Sequence, residues 1–135
     1  MADSKSVGAD ERSEQSEADP IFVIDDLRLR AGQLAPFLEA FETRYRPGAE
    51  IRGQRLLQVL VHPPTRALDV PHSVVLLWQV DGIAGFWGVR SQNSTEDVVR
   101  FWLDCDAQWV DSRTRRYAAS PASLPALDAA GRVNA

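Results

Sequence analysis

Residues 55–90 read RLLQVLVHPPTRALDVPHSVVLLWQVDGIAGFWGVR. Two apolar runs of strand length flank a loop broken by Pro63, Pro64 and Pro71. In the second run, residues 72–80, Val74, Leu76 and Trp78 fall on one face and Val75 and Leu77 on the other. A strand that is apolar on both faces has to be covered on both. In the first run, residues 53–62, plain alternation predicts Arg55, Leu57, Val59 and Val61 on one face. The other face then carries Leu56, Leu60 and His62 with Gln54 and Gln58. Pro63-Pro64 ends that strand, because neither residue can donate to a ladder.

The segments on either side have readable periods. Ile21–Arg30 begins β-branched and aromatic and then alternates Leu27, Arg28, Leu29, Arg30, which predicts a strand. From Gln33, Leu34, Phe37, Leu38, Phe41 and Tyr45 recur at helical spacing, and Pro47-Gly48 is the expected stop. Asp81-Gly82 turns the chain into a helix carrying Ile83, Phe86, Trp87 and Arg90, with Asp81 as its expected N-cap. Ser94-Thr95-Glu96-Asp97 has the form of a capping box ahead of Val98, Phe101, Trp102, Cys105 and Trp109. Residues 112–119, SRTRRYAA, predict a last, arginine-rich strand at an edge or near a subunit boundary.

The order strand, helix, strand, strand, helix, strand is the split βαβ, ferredoxin-like pattern of an α+β fold. Helices on one face of such a sheet leave the other bare, and a second copy under two-fold symmetry is the simplest cover. A homodimer is therefore expected, with the domain at residues 21–119. Residues 120–135, rich in Ala, Pro and Ser, read as a flexible tail.

The net charge is confined to the front of the chain. Residues 1–20 hold six acids against Lys5 and Arg12, whereas residues 21–135 balance 13 acids with 13 arginines. Such an acidic stretch, poor in large apolar residues, reads as a disordered tail. A neutral domain behind it argues against nucleic acid as a partner, since phosphate binding needs a basic surface. No apolar run is long enough to span a bilayer, so no membrane partner is expected, and the N-terminus lacks a signal-peptide core. One cysteine, Cys105, permits no intrachain disulfide, and a cytoplasmic location is the expectation. Lys5 is the only lysine, which removes Schiff-base chemistry from the domain. No nucleophile elbow, phosphate loop or zincin motif occurs.

The apolar hairpin, the tryptophan-rich second helix and the RTRRY last strand together resemble the dimeric α/β-barrel superfamily. Within it the chain looks most like the NIPSNAP-like and small antibiotic-biosynthesis-monooxygenase-like members, over residues 21–119. The resemblance implies a pocket between the sheet and its own helices. It also implies chemistry of the oxygenase, cyclase or isomerase kind without a bound cofactor. Haem-binding members use a histidine in the second helical region, and this chain has none between Asp81 and Val110.

Several residues can carry such chemistry. His62 closes an apolar strand, and imidazole is suited to general base work near neutrality. His72 opens the next strand and is expected near His62 at the hairpin mouth; with Asp69 the pair matches no metal motif, so no metal is expected. Arg55, on an apolar face, needs a partner, either a substrate oxyanion or an acid. Asp106, beside Cys105, is a second acid–base candidate if it points inward against tryptophans. Trp78, Trp87, Phe86, Trp109 and Tyr45 are candidate walls for a flat apolar ligand. Trp87 leads this group because Gly85 and Gly88 remove bulk beside it. The substrate so read is an apolar aromatic or polycyclic small molecule. The alternative is a non-catalytic module binding a hydrophobic ligand or a protein.

Overall fold

The first strand sets the frame. In β1, Pro20–Leu29, exposure alternates strictly: Ile21, Val23, Asp25, Leu27 and Leu29 are buried, and the residues between them are more open. The computed structural model describes residues 19–92 and 95–134. Residues 1–18 of the acidic stretch and Ser94 of the capping box lie outside the described residues.

Helix α1, Leu34–Ala40, runs through a π turn, Phe41–Tyr45, into α2, Arg46–Ile51. Pro47-Gly48 does not end this helix, contrary to expectation. The π turn widens the backbone just ahead of Pro47, which then falls in the first turn of α2, where proline is tolerated. The stop is Gly53, at φ 97°, whose N–H donates to the Glu50 carbonyl while Gln54 N–H donates to that of Ala49. The π turn also keeps Phe37, Phe41 and Tyr45 stacked along one face, with ring centroids 6.1 and 6.0 Å apart.

Strand β2 spans Arg55–His62, β3 Ser73–Asp81, helix α3 Gly82–Gln92, α4 Glu96–Gln108 and β4 Val110–Ala118. Thr95 precedes α4 in extended conformation without a side-chain cap bond. The sheet order is β2-β3-β1-β4 and every pairing is antiparallel. This is the ferredoxin-like α+β fold, with the helices on one face of the sheet. A 3₁₀ turn, Pro121–Ser123, and helix α5, Leu124–Asn134, follow. The flexible tail expected there is thus helical: Leu127 packs on the core, and the buried Ser123 donates to Asp19 at 2.6 Å.

One residue changes the reading of β2. Leu56 pairs with Trp78 and Gln58 with Leu77, so Leu57 is an unpaired bulge residue. Beyond it the alternation is shifted by one. Leu56, Val59 and Val61 face the helices, while Arg55, Gln58, Leu60 and His62 share the open face. The expected grouping of Arg55 with Val59 and Val61 is therefore corrected, because simple alternation does not count a bulge.

The core is built on Leu27, Leu29, Phe37, Phe41, Val74, Leu76, Trp78 and Phe101, all essentially without solvent contact. Within it lies an acid. Asp25 occupies a helix-facing position of β1, opposite Leu76 on β3 and Arg115 on β4. Arg115 donates to it through Nε and a second guanidinium nitrogen at 2.6 and 2.9 Å, and Trp78 Nε1 donates at 3.0 Å. Arg115 also donates to the Tyr45 hydroxyl at 3.1 Å. Burial works to lower the Arg115 pKa, but the Asp25 carboxylate more than offsets it, and the net shift is upward. A two-pronged, charge-assisted pair of this kind is the geometry in which a buried ion pair is tolerated.

Asp25→Ala is expected to lower the unfolding free energy by about 3 kcal/mol in a denaturant titration, by stranding the Arg115 charge. The double replacement Asp25→Leu with Arg115→Met should recover most of that loss. If the single and double variants are equally unstable, stranded charge is not the cause.

Candidate functional site

The described residues place the sequence candidates in five separate regions. Trp78 and Tyr45 are core residues, tied to Asp25 and Arg115. Tyr45 meets Phe101 at 5.0 Å, and Trp102 edge-on at 5.2 Å. Neither lines either of the two cavities described below.

Asp106 and Trp109 lie at the C-terminal end of α4. Asp106 accepts two hydrogen bonds from Arg113, at 2.8 and 3.1 Å, on the exposed side of the helix. Arg113 in turn lies 4.6 Å over the Trp102 ring. The inward, tryptophan-walled carboxylate envisaged from the sequence is thus an exposed ion pair. The Trp109 carbonyl accepts the Arg30 N–H at 2.9 Å, and its half-buried ring packs against the core edge. Between Asp104 and Asp106, Cys105 is buried. Burial pushes its thiol up to about 12, with the nearby carboxylates of Asp106 and Asp104 adding to the shift against Arg113 and Arg44. Such a thiol is inert at neutral pH.

Arg55 and His62 are exposed on the open face of the sheet, at opposite ends of β2. His62 pairs with Ser73, and the His62–Pro63 peptide is cis. His72 sits one residue before Ser73 and on the helix side. The two histidines therefore meet at the same end of the hairpin but on opposite faces of the sheet. They do not form a pair, and among the described residues no group of three or more His, Cys, Asp or Glu side chains is arranged to hold a metal ion.

His72 is 2% exposed. Its Nε2 lies 2.6 Å from the Thr65 carbonyl, which makes Nε2 the protonated nitrogen by the logic of its partner. Its Nδ1 is buried and has no hydrogen-bond partner among the described residues. The imidazole forms part of the wall of a cavity of about 290 Å³, with Leu34, Ala35 and Leu38 of α1 and Arg66 and Leu68 of the β2–β3 loop.

Phe86 and Trp87 occupy the other end of the sheet. There the start of β1, α3, the end of β4 and α5 border an open cavity of about 310 Å³ lined by Ile21, Ile83, Phe86, Trp87, Tyr117 and Leu127. Phe86 meets Trp87 edge-on at 5.1 Å and Tyr117 edge-on at 4.9 Å. Arg90 lies 5.5 Å over the Trp87 ring. Trp87 remains 47% exposed, so half of a large aromatic surface has no protein cover. A methyl group at Gly88 would meet nothing within 4 Å, whereas at Gly85 it would touch Val80 at 3.7 Å. Gly88 thus adjoins open space, and Gly85 brings α3 close to the end of β3. Tyr117 and Leu127 escaped sequence reasoning. The signal for Tyr117 was its place in the arginine-rich strand; for Leu127 it was the spacing of Leu124 and Leu127 after Pro121.

No family model matches the chain, and no curated protein is similar to it in sequence. Solved structures do share its fold. A NIPSNAP family protein from Agrobacterium tumefaciens is 15% identical with a TM-score of 0.59, covering 76% of this chain and 87% of that one. A NIPSNAP domain protein from Burkholderia xenovorans is 16% identical with a TM-score of 0.58, covering 76% of this chain and 95% of that one. A Nitrosomonas europaea protein proposed to be an antibiotic biosynthesis monooxygenase is 14% identical with a TM-score of 0.54, covering 75% and 98%. The fold is the one these NIPSNAP and monooxygenase-like proteins share, as the resemblance in the sequence implied. Among the described residues no helix is long and apolar enough to cross a membrane.

The Cys105 thiol gives a check on this packing. Between its ordinary value of 9.0 and about 12, the unfolded chain sheds a proton that the folded chain keeps. Stability from this group therefore falls as pH rises through that window. At pH 8.5, iodoacetamide should label Cys105 far more slowly in the native protein than in guanidinium; equal rates would contradict the buried placement.

Proposed function

We propose that this chain is a homodimeric protein that binds a flat, apolar aromatic molecule in the cavity walled by Phe86, Trp87 and Tyr117. The observation that carries the reading is the half-exposed Trp87 ring within an edge-to-face aromatic set beside the open space at Gly88. Offset and edge-on stacking against such rings favours a planar ligand. The cavity wall offers few polar groups, the composition expected of a site that selects by shape and apolar area.

A second copy is the proposed cover of the open face. Phe22 and Ile24 of β1, Val75 and Leu77 of β3 and Leu60 of β2 form its apolar centre, and Leu60 is 53% exposed. Sheet-to-sheet packing across a two-fold axis would bury these residues. It would also enclose Arg55 and His62, which lie on that same face.

Cofactor-free oxygenation, cyclisation or isomerisation is a second reading, favoured by the role proposed for the Nitrosomonas protein. In it His62 acts as base with Arg55 stabilising an oxyanion, at a site completed only by the second copy. Neither residue lines the Trp87 cavity, so the binding reading has the stronger geometry.

Trp87→Ala is expected to weaken binding of 1-anilinonaphthalene-8-sulfonate about tenfold, the loss of one aromatic contact with its buried area. Trp102→Ala should leave that affinity alone but lower the unfolding free energy by about 3 kcal/mol. Unchanged affinity in Trp87→Ala would end the reading. Separately, Leu60→Asp with Leu77→Asp should convert a dimer to a monomer in sedimentation velocity; a wild-type protein that sediments as a monomer would refute the second copy.

A further inference from the structure

The pairing register fixes a pattern on the open face of the sheet. Phe22 stands between Ala118 and Gln79, Ile24 between Arg116 and Leu77, and Asp26 between Thr114 and Val75. On β2, Leu60 pairs with Val75 and Arg55 with Gln79. Across the four strands, Leu60, Val75, Leu77, Ile24, Phe22 and Ala118 therefore form one apolar band that runs diagonally from β2 to β4. The band separates two polar flanks. One carries Arg55, Gln58 and Gln79, with Asp81 at its far end. The other carries Asp26, with Arg28 two residues along β1 and Arg116 diagonally across on β4. Arg55 and Asp26 stand on opposite flanks, both abreast of the band's middle, where Leu77 meets Ile24. Neither has an ion pair among the described residues.

A second copy that covers the band takes both charges out of water, and a charge so buried requires a partner. Two sheets packed face to face by a two-fold axis have that axis in the plane between them. Each residue then meets whatever lies at its reflected position across the axis. An axis across the middle of the band sets Arg55 against Arg55 and Asp26 against Asp26, which like-charge repulsion opposes. An axis along the band exchanges the flanks. The apolar band then packs on itself, and Arg55 comes opposite Asp26 on both sides of it.

We propose that Arg55 of one copy pairs with Asp26 of the other, twice about a two-fold axis that follows the diagonal band. This rests on the homodimer proposed above and gives it an orientation. Within one chain the two residues lie two strands and four residues of register apart, roughly 16 Å, too far for a side-chain contact. The pair therefore forms only between copies. An Arg55 so engaged is no longer open to a substrate oxyanion, which counts against the catalytic reading.

Charge exchange in the full-length protein tests the pairing. Wild type is expected to sediment as a dimer. Arg55→Asp alone sets two acids together at both sites and Asp26→Arg alone sets two arginines together. Each should raise the dimer dissociation constant at least about a hundredfold. Mixing the two variants restores opposite charges at both sites, so native mass spectrometry should show the heterodimer in large excess over either homodimer. The double variant Asp26→Arg with Arg55→Asp should dimerise again by itself. A wild-type monomer would refute the dimer and the pairing with it. A wild-type dimer whose single variants dimerise as tightly, or whose mixture and double variant both stay monomeric, would overturn the pairing and leave the dimer standing. Recovery in the mixture also shows that both single variants fold.

Discussion

A carboxylate in the middle of an apolar sheet face governs how this molecule is assembled. Asp25 sits between Val23 and Leu27 on the side of β1 that the helices cover. Its charge can be accommodated there only if donors reach it from several directions at once. Arg115 comes from β4, Trp78 from β3, and Tyr45 joins through Arg115 from the π turn. Four elements that are far apart in the chain are thereby held in one relative position. Hydrophobic burial alone is non-directional and would tolerate sliding; a directional network of this kind does not.

That network also decides where ligands can go. The space between the sheet and its helices, which the resemblance marked as the pocket, is filled here at its centre by Tyr45, Trp78, Phe101 and the half-buried Trp102. The two cavities described above lie at the two ends of β3. One end is bounded by the β2–β3 loop and the start of α1, the other by α3, the end of β4 and α5. Helices, a loop and the ends of strands supply the distinguishing walls. Fold-level likeness to NIPSNAP and monooxygenase-like proteins therefore carries over the scaffold and leaves the contents of each cavity to this chain's own residues.

Much of the architecture was legible in the sequence because alternation and helical spacing are local signals. The strands at Ile21 and Ser73 and the stripe from Leu34 to Tyr45 were read in that way. What escaped were features that locality cannot report. Asp25 shares its parity with Ile21, Val23, Leu27 and Leu29, a hint of burial, but its partner Arg115 is 90 residues away. Leu57 looks like any other residue of an apolar strand, since only pairing with β3 reveals that it is extra. Pro47-Gly48 carries the chemistry of a stop, and the π turn ahead of it overrides that chemistry. The Ala- and Pro-rich composition of residues 120–135 hid two leucines at helical spacing. Of the site candidates, Trp87 and Phe86 do share one cavity, whereas His62 and His72 were brought to one end of the hairpin but divided by the sheet itself.

The bulge at Leu57 has a bearing on how this chain should be compared with others. Arg55 and Gln58 occupy the same face only because residue 57 is not counted in the ladder. Against a chain whose second strand is regular, equivalence survives only with a one-position gap at 57. An ungapped alignment would match every residue on one side of that point to the opposite surface, and Arg55 would be equated with a core position. Strand identity below the bulge and above it are, in that sense, two separate reading frames.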